Sequence, residues 1–145
     1  MIRIVLAANL FVSALLKPGS NPDLILRAVR DEKVLLLMSD DICAEIARVL
    51  TYPKIRKRLR ASDEELHTFL QLLGSVAIFT PGTLNIPPLE TDPDDTKYLV
   101  CAIEGHADFI VSGDHHLTDL TMYHGVRIVT PTDFLPLITT TIKAN

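Results

Sequence analysis

"MIRIVLAANLFVSALL", residues 1–16, decides how the rest of the chain is read. An apolar run climbs to Leu6, two alanines and Asn9 follow, and a second apolar run with helical spacing begins. A strand passing directly into a helix is the opening unit of an open α/β sheet. Ligands in such sheets gather at the carboxyl ends of the strands. The residue in that place is Ala7, whose side chain offers no chemistry. Two readings stay open: an α/β domain with an empty first position, or an enzyme lacking its first catalytic residue.

Working outward, four more strand-like runs follow "IRIVL" (2–6): "VLLLM" (34–38), "SVAIF" (75–79), "DFIVS" (108–112) and "VRIVT" (126–130). Several are continuously apolar and rich in Val and Ile, as parallel strands buried on both faces are. Helical patterns lie between them. Residues 22–31 follow Asn21-Pro22, a cap with proline at the first helical position. Residues 40–51 follow the capping residue Ser39, and residues 62–73 open on a capping box, Ser62 with Glu65. Residues 93–104 open on Asp92-Pro93, and a last helix after Thr130-Pro131 takes in Phe134, Leu135 and Ile138. The segment 79–90, with three prolines and a glycine, reads as a loop within one domain spanning 1–145. The alternation predicts a three-layer α/β/α sandwich around a mainly parallel, about five-stranded sheet.

At 48% hydrophobic and 22% charged, the 145-residue chain has the composition of a globular domain able to bury its own core. No apolar run reaches the roughly 18–20 residues needed to span a bilayer. Residues 1–16 lack the charged start and cleavage site of a signal peptide, which points to a cytoplasmic protein with no membrane partner. Cys43 and Cys101 lie far apart and read as small apolar residues in a reducing compartment. The net charge of −4 weighs against nucleic-acid binding, but its distribution does not. Lys54, Arg56, Lys57, Arg58 and Arg60 are packed into "KIRKRLR" (54–60), leaving nine basic residues against 18 acidic elsewhere. That strip is either a phosphate-backbone contact or a solvated helix end.

Acidic residues on apolar faces carry more information than those on polar ones. Glu45 lies three residues after Ile42 and four before Val49, along the buried stripe of its helix. A carboxylate there calls for a metal, a cation or a wet cleft, or for an ion pair with an arginine such as Arg48. Asp95 shares a helix face with Leu99 and Ala102, although Asp92, Asp94 and Asp95 all surround a first turn where capping favours negative charge. Asp114, beyond Ser112-Gly113 at the end of the fourth strand, is either a sheet-edge acid or a turn former, and Asp119 is a weaker candidate. In a parallel sheet these positions can meet above the first strand. Crowded carboxylates repel one another unless a hard divalent cation such as Mg²⁺ or Mn²⁺ sits among them, and phosphodiester hydrolysis uses such a site. His115-His116 could suggest zinc, but adjacent histidines rarely chelate one ion, and no Cys or His pair completes the set. A phosphate-cradling glycine loop after the first strand is missing, and Ser13 and Ser39 have no nucleophile arrangement around them. A phosphoacceptor receiver domain would need an acid pair after the first strand, which is absent.

Taken with "NPDLILRAV", "SDDICAEIARVLTYPKIRKRL", "DPDDTKYLVCAIEGHADFIVSGDHHL" and "GVRIVTPTDFL", the opening stretch resembles the PIN-domain ribonucleases, specifically VapC-like toxins of toxin–antitoxin pairs. The resemblance covers nearly the whole chain, and "DPDD…FIVSGD…RIVTP" is its most specific part. It implies an α/β/α fold, Mg²⁺- or Mn²⁺-dependent cleavage of single-stranded RNA, a homodimer and a cognate antitoxin protein. It matches Glu45, Asp95 and Asp114 to catalytic and metal-binding acids and Asn9, Ser13 and Asp94 to supporting polar positions; Asn9 could equally cap the first helix. Ala7 stands where the family has its first catalytic Asp, and His116 stands where many relatives have a further Asp. The resemblance therefore implies an endoribonuclease impaired at Ala7. Either alanine was substituted to disarm a toxin, which the retained acids favour, or the lineage has lost the residue. The alternative is a catalytically silent module of this fold that binds RNA or a protein.

Overall fold

A computed structural model describes residues 1–87 and 93–144, with side chains to residue 139. Asp92 and residues 88–90 of the proline-rich loop lie outside the described residues. In chain order the elements are β1 (Arg3–Leu6), α1 (Ala8–Leu16), α2 (Asn21–Arg30), β2 (Leu35–Met38), α3 (Asp40–Thr51), α4 (Pro53–Arg56), α5 (Asp63–Val76) and β3 (Ile78–Phe79). A 3₁₀ turn at Pro93–Asp95 then leads into α6 (Thr96–Glu104), β4 (Phe109–Val111), α7 (His115–Thr118), β5 (Met122–Tyr123), β6 (Val126–Val129) and α8 (Pro131–Ala144).

The strands form one sheet in the order β3-β2-β1-β4-β6-β5, parallel throughout except for β5 against β6. Right-handed crossovers from β1 through β2 to β3 put their helices on one face. The return from β3 to β4 puts α6 on the other. The central strands are buried on both sides: Ile4, Leu36 and Ile110 are fully inaccessible, and Phe11, Ile25 and Phe134 pack over them from the helices. The chain leaves β1 toward β2 on one side and returns with β4 on the other. The carboxyl edge between β1 and β4 is therefore the switch point where open α/β sheets keep a crevice.

The capping signals mostly act as read. Ser39 Oγ accepts from the Ile42 N–H, and Ser62 and Glu65 form the reciprocal capping box. The cap of α2 is Ser20, one residue before the expected Asn21, and Pro22 sits at the second helical position. Two corrections concern the sheet. Residues 75–76, expected to begin the third strand, continue α5, where the Ser75 hydroxyl bonds back to the Leu72 carbonyl. Only Ile78–Phe79 remain as a short edge strand, the kind of edge that resists pairing with other chains. The sixth strand, β5, arises because His124 and Gly125 both adopt positive φ, 49° and 81°, and turn a two-residue hairpin into β6.

Past β3 the chain is tied to α6 through Glu104. Its carboxylate accepts from the backbone N–H groups of Gly82, Thr83 and Leu84 at 2.7–3.0 Å. Partial burial acts to raise its pKa, but these donors outweigh it and hold the group below its ordinary 4.5. The stability it contributes is therefore present above the unfolded pKa and lost as pH falls through the folded one. At the same end of α6, the next residue, Gly105, lies so close to β2 that a Cβ would meet Leu37 Cδ1 at 2.6 Å and Cδ2 at 2.9 Å. Leu37 is 1% exposed and has little room to yield. We expect Gly105→Ala to destabilise the fold by about 1–3 kcal/mol, seen as a lower urea midpoint; an unchanged midpoint would contradict this packing.

Candidate active site

A crevice of about 580 Å³ opens at the β1–β4 switch point. Ala7 and Asn9 reach it from the end of β1 and the start of α1, Glu45 from α3, Asp94 and Asp95 from the 3₁₀ turn, Tyr98 from α6, and Ser112 and Asp114 from the end of β4. Leu10 and Leu117 give it an apolar lining, and Ser13 and His115 line it as well. No lysine or arginine is among the described residues that line it.

Glu45 is held from two directions. The buried Tyr98 hydroxyl donates to Oε2 at 3.0 Å, and the Lys97 ammonium pairs with the same oxygen. The partner is thus Lys97, not the expected alternative Arg48. Tyr98 also accepts the Ala8 N–H at 3.0 Å, one of the amides that the first turn of a helix leaves without an intrahelical partner. Burial pushes the phenol far above its ordinary pKa; the Ala8 N–H acts against this, and the Glu45 and Asp95 charges add to it. Tyr98 therefore stays protonated and keeps donating to Glu45 at any physiological pH.

Asp95 is 6% exposed and occupies the cap position of α6, yet its side chain makes no capping hydrogen bond. Its carboxylate still stands at the positive end of the α6 dipole. Asp114 does both of the things expected of it. Its Oδ1 caps the short α7 by accepting the His116 N–H at 2.9 Å, and it also lines the crevice. Its own N–H donates to the fully buried Ser112 Oγ at 3.0 Å, fixing the turn beyond β4. Asn9 lies inside α1 rather than at its cap, which is Ala7, so the capping alternative for Asn9 falls. Ala7 itself is 7% exposed and offers no side-chain cap. Asp119 closes α7 and does not line the crevice.

The basic strip is not brought to the crevice. A helix that follows a parallel strand runs back along the sheet, and α3 extends about 9 Å beyond Glu45 before it ends, at 1.5 Å per residue. The strip begins after that end, on α4, and none of Lys54, Arg56, Lys57, Arg58 and Arg60 lines the crevice. Arg56 is paired with Asp63 at 2.9 Å, and Leu59 is buried among the core residues. Sequence reasoning missed Lys97 and Tyr98. The available signal was spacing: Tyr98 stands three residues after Asp95, which puts both on one helix face.

Tyr98→Phe strands the Ala8 N–H and removes the donor to Glu45. It should cost about 1–3 kcal/mol of stability, the penalty for an unsatisfied buried group. Chemical denaturation measures this, and a loss below a few tenths of a kcal/mol would mean that water readily replaces the hydroxyl.

Comparison with known proteins agrees with this geometry. A sequence profile described as PIN domain matches residues 3–116. The uncharacterized protein MJ1680 of Methanocaldococcus jannaschii is 32% identical over 119 residues, 82% of this chain and 75% of that protein. A chain in the crystal structure of VapBC2 from Rickettsia felis, bound to a DNA fragment from their promoter, superposes with a TM-score of 0.57. That match covers 89% of this chain and 98% of the other at 15% identity, a likeness of fold alone. With most of its length covered by the profile, and with the crevice at the β1–β4 switch point, this chain belongs to the PIN domain family.

Proposed function

We propose that the chain is a metal-dependent endoribonuclease of single-stranded RNA, the toxin of a toxin–antitoxin pair, impaired at Ala7. The observation that carries this reading is the convergence of Glu45 from α3, Asp94 and Asp95 from the 3₁₀ turn, and Asp114 from beyond β4 on one crevice at the switch point. So many carboxylates around one space are hard oxygen donors that suit Mg²⁺ or Mn²⁺. Asp95 and Asp114 would hold the ion, with Glu45 alongside and Asp94 in support. When bound, the ion supplies an activated water and neutralises charge on the leaving oxygen.

The chain's own residues set the conditions. Tyr98 and Lys97 hold Glu45 in one orientation facing the crevice. Asn9 and Ser13, both exposed on α1, offer hydrogen bonds at the rim to the sugar–phosphate of an entering strand. Ala7 supplies nothing. The family's aspartate at this position would add a carboxylate to the crevice and a side-chain cap to α1. Its loss should weaken metal binding and lower turnover by a factor on the order of 10² or more, given the several kcal/mol a catalytic ion contributes.

An antitoxin protein and a second copy of the chain are the partners this reading implies. The likeness to the R. felis VapBC2 structure supports a protein partner. A surface such a partner could cover is the apolar groove between α1, α2 and α5, lined by Leu15, Leu26, Phe69 and Leu72 and rimmed by Arg27 and Arg30. Ala7 favours a second reading, in which the fold binds RNA or a protein without cleaving. The test is cleavage of single-stranded RNA by Ala7→Asp beside the chain as it stands, with Mn²⁺ or Mg²⁺ and with EDTA. We expect cleavage in the metal-supplied variant and at least 10²-fold less in the parent. No cleavage by either on several RNAs would select the silent module.

A further inference from the structure

Beside the carboxylate crevice lies a second set of donors. Asp114, His115 and His116 place one carboxylate oxygen and two imidazole nitrogens within 4.8 Å of one another. Adjacent histidines alone make a poor chelate, but here Asp114 completes a set of three. His115 Nδ1 is 4.0 Å from Asp114 Oδ1, and the two imidazole centroids are 4.2 Å apart with planes tilted by 36°. The His116 N–H fixes the Asp114 carboxylate, so the anionic donor is positioned in advance. Both imidazoles are exposed, which leaves their rotamers free to close the remaining gap around an ion. Nothing in the fold explains two stacked histidines at this corner: neither is buried, and neither side chain hydrogen-bonds to a neighbouring element among the described residues.

We propose that Asp114, His115 and His116 form a metal-binding corner for a borderline first-row divalent ion such as Zn²⁺ or Co²⁺. Mixed imidazole and carboxylate donors favour such ions over Mg²⁺, which prefers oxygen and retains its waters. Three protein ligands leave a fourth position open to water or to a phosphate oxygen. The binding is independent of whether the chain cleaves RNA. Only its use, as a positive charge at the mouth of the crevice shared through Asp114, rests on the function proposed above.

Co²⁺ is the probe, because its visible absorption reports imidazole ligation directly. Titration of the chain with Co²⁺ should produce ligand-field bands that a large excess of Mg²⁺ does not remove. His116→Gln and His115→Asn should each weaken binding by about tenfold or more, and both are surface changes that leave folding intact. Asp95→Asn and Glu45→Gln should retain the bands. The proposal is overturned if no Co²⁺ binds, if binding survives both histidine substitutions, or if Asp95→Asn abolishes it as His116→Gln does. Failure of the ribonuclease reading would appear in RNA cleavage and leave the Co²⁺ spectrum untouched.

Discussion

The Tyr98 hydroxyl joins three elements at the carboxyl edge of the sheet. It satisfies the Ala8 amide at the start of α1, donates to Glu45 on α3, and is carried by α6, which follows the turn bearing Asp94 and Asp95. The register of α6 against β1 therefore sets where the acids stand relative to Ala7 and Glu45. A buried phenol is suited to this. It accepts and donates at once, it stays neutral beside carboxylates, and its ring adds apolar packing that an amide or a hydroxymethyl group would not.

Charge balance follows from that arrangement. Burying carboxylates near one another is costly, and each pair raises the free energy of the folded state unless a cation intervenes. Lys97 covers one acid of the group, Glu45. An aspartate introduced at position 7 would add a further negative charge to the same space, and with it more repulsion than the chain carries with Ala7.

Much of this arrangement was legible in the residues because it rests on local chemistry. Apolar runs bounded by capping residues mark β1, β2, β4 and β6 within a residue or two, and the acid at position 45 on an apolar face indicates a crevice before any contact is known. The legibility ends where distant elements decide. β3 shrinks to two residues because α5, started by a strong capping box, runs on through Ser75 and Val76. β5 depends on a histidine in left-handed conformation before Gly125, a weaker hairpin signal than Asn-Gly or Asp-Gly. Lys97 rather than Arg48 pairs with Glu45 because α6 crosses the carboxyl edge beside α3, a fact of topology. The place of the basic run at 54–60 is a fact of topology too, since the direction of α3 carries it away from the crevice.

On the proposed function, the crevice holds a divalent ion and Ala7 leaves one of its ligand positions without a carboxylate. Anomalous diffraction at the manganese edge, from crystals of the chain and of Ala7→Asp grown with Mn²⁺, locates that ion directly. We expect a strong peak contacting Asp95 and residue 7 in the variant, and a weak peak or none at that place in the parent. Peaks of equal height in both, or manganese that avoids Asp95 in the variant, would contradict it.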